Sequence, residues 1–120
     1  IEQKTLRGVH GPKKVYVILI DNGRLNALKD PVLWEALKCL RCGACITLCP
    51  IYQVVGGIYG SKYFGGIGVA WTAIVESLEK AVPLAYMCST CGQANYECPV
   101  GIDIVGLIRE VRRRGVESYE

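Results

Sequence analysis

With 120 residues, 51% of them hydrophobic and 21% charged, the chain reads as one small globular domain rather than a disordered segment. Its size lies near the limit at which an apolar core alone is marginal. A net charge of +3 is too mild to imply a nucleic-acid partner, and the longest uncharged run, Cys42 to Ser61, is broken up by cysteine, proline and glycine, so no transmembrane helix is expected.

In chain order, the opening residues carry charge and lack the apolar core of a secretory signal. The chain starts at Ile1 and its only methionine is Met87, which suggests a fragment or processed product of a longer protein. Residues 1–12 end in the turn signal Gly11-Pro12. Val15-Tyr-Val-Ile-Leu-Ile20 is a β-branched run bounded by Lys13-Lys14 and Asp21-Asn-Gly23, which predicts a short strand. A single strand cannot stand alone. Residues 4–9 alternate poorly, so the run is expected to join a sheet supplied elsewhere. Residues 1–29 are therefore read as an N-terminal strand and turn extension, and residues 30–120 as a mainly α domain.

Asp30-Pro31 is a helix start, an acidic N-cap with proline at N1. The apolar stripe Val32, Leu33, Ala36 and Leu37 leads into Cys39. Ile51 to Gly68, rich in glycine and aromatics, is read as a connection packed over the cysteine segments rather than as a ligand loop. Ile67, Ala70, Trp71, Ile74 and Leu78 recur at helical spacing and predict one helix of about fourteen residues closed by Pro83, with Trp71 in the core. Asp103 is expected to cap a last helix, with Ile104, Leu107, Ile108 and Val111 inward and Arg109, Arg112, Arg113 and Arg114 largely outward. Gly115 reads as its C′ residue. The only histidine, His10, lies far in sequence from both cysteine segments and is not expected to be catalytic.

Seven cysteines, an odd number clustered as C-x-x-C, fit metal better than a disulfide framework. Free thiolates point to a reducing, cytoplasmic setting. Cys39-x-x-Cys42-x-x-Cys45-x-x-x-Cys49-Pro50 has the spacing that wraps a cubane iron–sulfur cluster, whose soft iron corners favour thiolate. The pattern returns 49 residues later (88 minus 39): Cys39 maps onto Cys88, Cys42 onto Cys91, Gly43 onto Gly92, Cys49 onto Cys98 and Pro50 onto Pro99. Only Cys45 fails to repeat, landing on Ala94. In two-cluster ferredoxins the closing cysteine of each segment crosses to the other cluster. Crossing here gives a complete set, Cys39, Cys42, Cys45 and Cys98, for a [4Fe–4S] cluster. It leaves Cys88, Cys91 and Cys49 as a set of three. The second cluster is then either [3Fe–4S] or a [4Fe–4S] with a non-cysteine fourth ligand, such as Glu97, Asp103, water, substrate or a partner's group. A four-thiolate zinc site from Cys39, Cys42, Cys88 and Cys91 would leave three cysteines idle and both Cys-Pro endings unexplained.

The long offset, with a helix between the motifs and helices flanking both, matches an α-helical ferredoxin, similar to the electron-transfer modules of succinate dehydrogenase iron–sulfur subunits and heterodisulfide reductases. His10 to Arg24, Leu40-Arg-Cys-Gly-Ala-Cys45, Tyr63-Phe-Gly-Gly-Ile-Gly68, Cys91-Gly92 and Cys98-Pro-Val100 together resemble the iron–sulfur protein of the bacterial lactate-utilisation complex. The resemblance covers roughly residues 9–115 and implies that the Val15–Ile20 strand closes the sheet of a larger or missing α/β domain that precedes the ferredoxin module. It implies an electron-transfer component in the oxidation of L-lactate to pyruvate, with other subunits of an oxidoreductase complex as electron donor and acceptor and no catalytic residues of its own. Cys88 and Ala94 depart from that family's pattern in the second segment. Two other roles fit the cysteines: an electron-transfer subunit of a heterodisulfide-reductase-like complex, and an enzyme using an open cluster iron as a Lewis acid.

Overall fold

The computed structural model describes residues 13–119. Three helices make the core: α4 (Gly65–Val75), α5 (Leu78–Met87) and α7 (Ile104–Tyr119), each packed against the other two. Shorter elements surround them: α1 (Arg24–Ala27), a 3₁₀ segment over Leu33–Lys38, α2 (Ala44–Thr47), α3 (Pro50–Val55), a 3₁₀ turn over Gly56–Ile58, and α6 (Gln93–Glu97). Buried Val69, Ala70, Ala81, Val82, Ala85, Ile104, Leu107, Ile108 and Val111 form the shared interface. Each large aliphatic residue among them contributes about 1.5–3 kcal/mol by leaving water. No helix among the described residues is long and apolar enough to cross a membrane.

The mainly α architecture agrees with the sequence, and several boundaries differ. Val15 to Ile20 form no strand; among the described residues they find no ladder, and every side chain in the run is at least half exposed. Backbone donors without a neighbouring strand gain nothing from extension, and residues 4–9, the other candidate partner, lie outside the described residues, as does His10. Asp30 accepts as a cap does, its Oδ1 taking hydrogen bonds from the N–H groups of Val32 and Leu33 at 3.0 and 2.9 Å, but the helical segment begins at Leu33, so Pro31 is not its first residue. The segment it opens is a 3₁₀ turn rather than an α-helix.

The expected single helix over residues 67–83 is two. The first ends at Val75, and Ser77 caps the second, its Oγ accepting from the Lys80 N–H at 3.3 Å. Pro83 lies inside α5. Its ring is exposed, and Glu79, whose carbonyl would have received the missing N–H, is exposed as well. Asp103 caps α7 as expected, its Oδ1 accepting from the Gly106 N–H at 2.9 Å. Gly115 does not end that helix; α7 runs on to Tyr119. A Cβ on Gly115 would lie 2.6 Å from Val82 Cγ2, so the glycine is there to let α5 and α7 approach.

Candidate metal centre

The two cysteine segments have one backbone conformation used twice. Cys39 and Cys88 both have extended backbone (φ −62°, ψ 121° and φ −69°, ψ 127°), and each ends a helical segment that leaves the core. Two residues on, Arg41 and Thr90 both take positive φ, 57° and 55°. This costs a side-chain-bearing residue roughly 1–2 kcal/mol. In return each turns its N–H back onto the preceding sulfur: Arg41 N–H donates to Cys39 Sγ and Thr90 N–H to Cys88 Sγ, both at 3.3 Å. Gly43 and Gly92 come next at φ +80° and +82° and open the short helices α2 and α6. The closing cysteines match as well (Cys49 φ −74°, ψ 116°; Cys98 φ −72°, ψ 112°). Each accepts a backbone N–H at 3.4 Å, Cys49 Sγ from Tyr52 and Cys98 Sγ from Ile102. The amides aimed at sulfur thus come from Arg41, Tyr52, Thr90 and Ile102; the glycines supply the turn.

Helices α2 and α6 pack against each other, so the segments face one another. Between them lie two cavities. The larger, about 190 Å³, is lined by Cys39, Cys42 and Cys45 of the first segment and Cys98 of the second. The smaller, about 20 Å³, is lined by Cys88, Cys91, Cys49 and Ala94. Cys45 and Ile104 reach both, so the cavities adjoin. All seven thiols are free. Burial pushes the Cys45 thiol up to about 11, and the neighbouring sulfurs of Cys39, Cys42 and Cys98 add to the rise. A buried thiol that resists ionisation among other sulfurs suits a site in which iron supplies the positive charge.

The zinc arrangement drawn from Cys39, Cys42, Cys88 and Cys91 is not assembled, because the first pair lines one cavity and the second pair the other. Among the described residues no three histidine, cysteine or acidic side chains gather closely enough to hold a single ion. The two suggested oxygen ligands also lie elsewhere. Glu97 Oε1 accepts from Gln93 Nε2 at 2.9 Å, and Asp103 Oδ1 accepts from Asn95 Nδ2 at 2.6 Å; neither lines the smaller cavity.

Cations and aromatics flank the larger cavity. Trp71 and Tyr63 both line it and stack at 5.9 Å. The Arg41 guanidinium lies over both rings, 4.6 Å from Trp71 and 5.1 Å from Tyr63, and Arg24 lies 5.3 Å from Trp71. Trp71 is a core residue, as expected, and also part of this wall. Arg112 departs from the outward expectation: its Nε and Nη2 donate to the Ala85 carbonyl at 3.1 and 2.8 Å, and Nη2 also to that of Cys88 at 2.6 Å. It thereby fixes the entry of the second segment.

Two buried donors on the cavity walls have no hydrogen-bond partner among the described residues, Trp71 Nε1 at the larger and Tyr59 Oη at the smaller. Buried N–H and O–H groups are nearly always satisfied, so two orphans on two sulfur-lined cavities fit groups rich in acceptors. Tyr59 is 1% exposed. Burial, and next the Cys88 sulfur beside it, push its hydroxyl well above the ordinary phenol range. Nothing in the sequence singled out Tyr59 from the other aromatics of its glycine-rich stretch; a lone tyrosine there carries no periodic signal.

A family model described as a 4Fe-4S dicluster domain matches residues 35–102. The chain is 37% identical over 114 residues to lactate utilization protein B 1 of Bacillus mycoides (strain KBAB4), covering 94% of this chain and 24% of the relative. It is 39% identical over 111 residues to lactate utilization protein B of an Exiguobacterium species, covering 92% and 24%. To the protein of the same name from Shouchella clausii it is 41% identical over 104 residues, covering 86% and 22%. It spans about a quarter of the length of these curated relatives. No solved structure matches it. Two adjoining thiol-lined cavities, a repeated cysteine turn and a family match over both segments lead to one conclusion: the chain belongs to the 4Fe-4S dicluster domain family, and about nine-tenths of it is homologous to a segment of lactate utilization protein B.

Proposed function

We propose that the chain is the two-cluster electron-transfer module of a cytoplasmic complex that oxidises a 2-hydroxyacid, L-lactate, with its electron donor and acceptor on other subunits. The observation that carries this reading is the interleaving of the two segments around adjoining cavities, with Cys98 on the wall of the first and Cys49 on the wall of the second. Cys39, Cys42, Cys45 and Cys98 hold a [4Fe–4S] cluster. Cys88, Cys91 and Cys49 hold a second, which is [3Fe–4S] or carries a non-cysteine fourth ligand. When bound, the clusters supply one-electron redox chemistry.

The chain's own groups position and tune. The N–H donors of Arg41, Tyr52, Thr90 and Ile102 face cysteine sulfur. Such donors favour the more negative, reduced state and raise the potential. The Arg41 and Arg24 cations beside the larger cavity act in the same direction. The abutting walls at Cys45 and Ile104 leave a short path between the two sites. The relatives' names carry the lactate assignment, and the resemblance of the flank around Asp21-Asn-Gly-Arg24 agrees with it.

The test is anaerobic reconstitution of the full-length protein, iron and sulfide analysis, and EPR before and after addition of L-lactate together with the purified partner subunits. Seven to eight irons per chain (the sum for a [4Fe–4S] cluster with a [3Fe–4S] or [4Fe–4S] one) and reduction of the clusters by lactate are expected. One zinc without sulfide would overturn the cluster reading. Two clusters that stay oxidised with lactate but are reduced through a thiol–disulfide couple would transfer the module to a heterodisulfide-reductase-like complex.

A further inference from the structure

The smaller cavity, where Ala94 stands in the place of a counterpart to Cys45, has a buried hydroxyl on its wall. Tyr59 is held at both backbone ends: its N–H donates to the Gly56 carbonyl at 3.0 Å, and its carbonyl accepts from the Gly65 N–H at 2.9 Å. The ring runs into the core, where its oxygen would be 4.0 Å from a Cβ on Gly66. Ile104 and Ile108, on the same cavity wall, offer no acceptor. The other wall residues with polar side chains are Ser89 and Gln93, and the Gln93 amide nitrogen already donates to Glu97 at 2.9 Å. The Cys88 and Cys49 thiols share this cavity's wall with the hydroxyl, as do those of Cys91 and Cys45. An O–H buried without a partner is destabilising. A sulfur-rich group in the cavity removes that cost.

We infer that Tyr59 is a positioning and tuning residue of the second cluster, its neutral hydroxyl donating a hydrogen bond to sulfur on the three-cysteine side rather than serving as the fourth iron ligand. The inference rests on the two-cluster reading above and assigns a role to a residue outside every cysteine motif. A hydrogen bond to sulfur stabilises the reduced cluster more than the oxidised one, because the reduced cluster carries more negative charge. The bond therefore raises the potential of the second cluster and leaves the first unaffected.

Tyr59→Phe removes one oxygen and keeps the ring, so the core packing survives. The measurements are iron and sulfide per chain, EPR-monitored redox titration of both clusters, and proton ENDOR on the second cluster in H₂O and D₂O, all on the anaerobically reconstituted full-length protein. The expected result is unchanged iron and sulfide, an unchanged first potential, and a second potential shifted to more negative values. A tenfold fall in the equilibrium constant for reduction would be a shift of about 59 mV for one electron. A strongly coupled exchangeable proton in the wild type should vanish in the variant. If the wild type holds two clusters and Tyr59→Phe moves neither the potential nor the proton signal, the inference fails while the two-cluster reading stands. Loss of an iron or a change of cluster type in the variant would make Tyr59 a ligand and also overturn the inference. A wild type without a second cluster would overturn the underlying reading instead.

Discussion

Asp30 and Arg114, 84 residues apart, tie the entry of the helical domain to its last helix. Arg114 Nη1 and Nη2 donate to the two carboxylate oxygens of Asp30 at 2.5 and 2.8 Å, while Arg114 Nε donates to Glu110 Oε1 at 2.7 Å. The Arg114 hydrogen bond outweighs the opposing effect of burial and holds the Asp30 carboxyl well below the ordinary carboxylate range. Arg113 and Arg114 likewise hold Glu110 at about 2. A folded-state value depressed in this way stabilises the fold above the unfolded value, near pH 3.9 for aspartate, and the contribution is lost as pH falls below it toward the folded value. Asp30→Asn keeps an oxygen for the Val32 and Leu33 N–H groups and removes the charge. At pH 7 it should lower stability by about 2 kcal/mol, read by urea unfolding of anaerobic samples. The gap to wild type should narrow by about 1.4 kcal/mol per pH unit below pH 3.9; a gap independent of pH would assign the loss to the cap. Neither half of this pair was legible alone, because Asp30 read as a cap and Arg114 as one of several solvated arginines.

At the scale of elements, the decisive contact is between α5 and α7, where Gly115 faces Val82. Gly115→Ala would gain about 1 kcal/mol in helix propensity. Against that, its Cβ would meet a branched, buried side chain at 2.6 Å, an overpacking that costs about 1–3 kcal/mol. The expected net effect is a loss of up to about 2 kcal/mol, measured as a lower thermal midpoint of the holoprotein. Gly115→Ala with Val82→Ala should recover part of it, since the second change removes the obstructing methyls. A single variant more stable than wild type would mean the helices are not held together there. The elements that local chemistry dictates were readable: the acid before Pro31 and the acid before α7. Those decided by a distant neighbour were not. Gly115 has the local signature of a helix stop and the tertiary role of a spacer, Pro83 is tolerated inside α5 because its face is exposed, and Val15–Ile20 has a strand's composition without a strand's partner among the described residues.

For the molecule as a whole, the arrangement depends on the core delivering two like turns face to face. The 3₁₀ segment ends at Lys38 just before Cys39, and α5 ends at Met87 just before Cys88, so the core positions both openings, and Pro50 and Pro99 come directly after both closing cysteines. The 49-residue repeat was legible because thiol spacing is local; the orphan hydroxyl of Tyr59 was not, because its position depends on how the glycine-rich connection folds back onto α4 and α7. The proposed crossing of Cys49 and Cys98 predicts asymmetric effects of single changes. Cys98→Ser lies in the second segment, yet it should weaken or abolish the first, four-thiolate cluster and leave the EPR signature of the second in place. Loss of the second signature instead would place Cys98 with its own segment. Ala94 is the complementary test. It occupies on α6 the place that Cys45 occupies on α2, and it lines the smaller cavity. Ala94→Cys therefore offers a fourth thiolate to the three-cysteine side. Iron should stand at eight per chain, and the second cluster should become an ordinary four-thiolate [4Fe–4S]. Its potential should fall, because an added thiolate places negative charge directly on the cluster and disfavours a further electron. Mössbauer spectra and an EPR redox titration read both effects, and an unaltered second cluster would show that position 94 does not face its open corner.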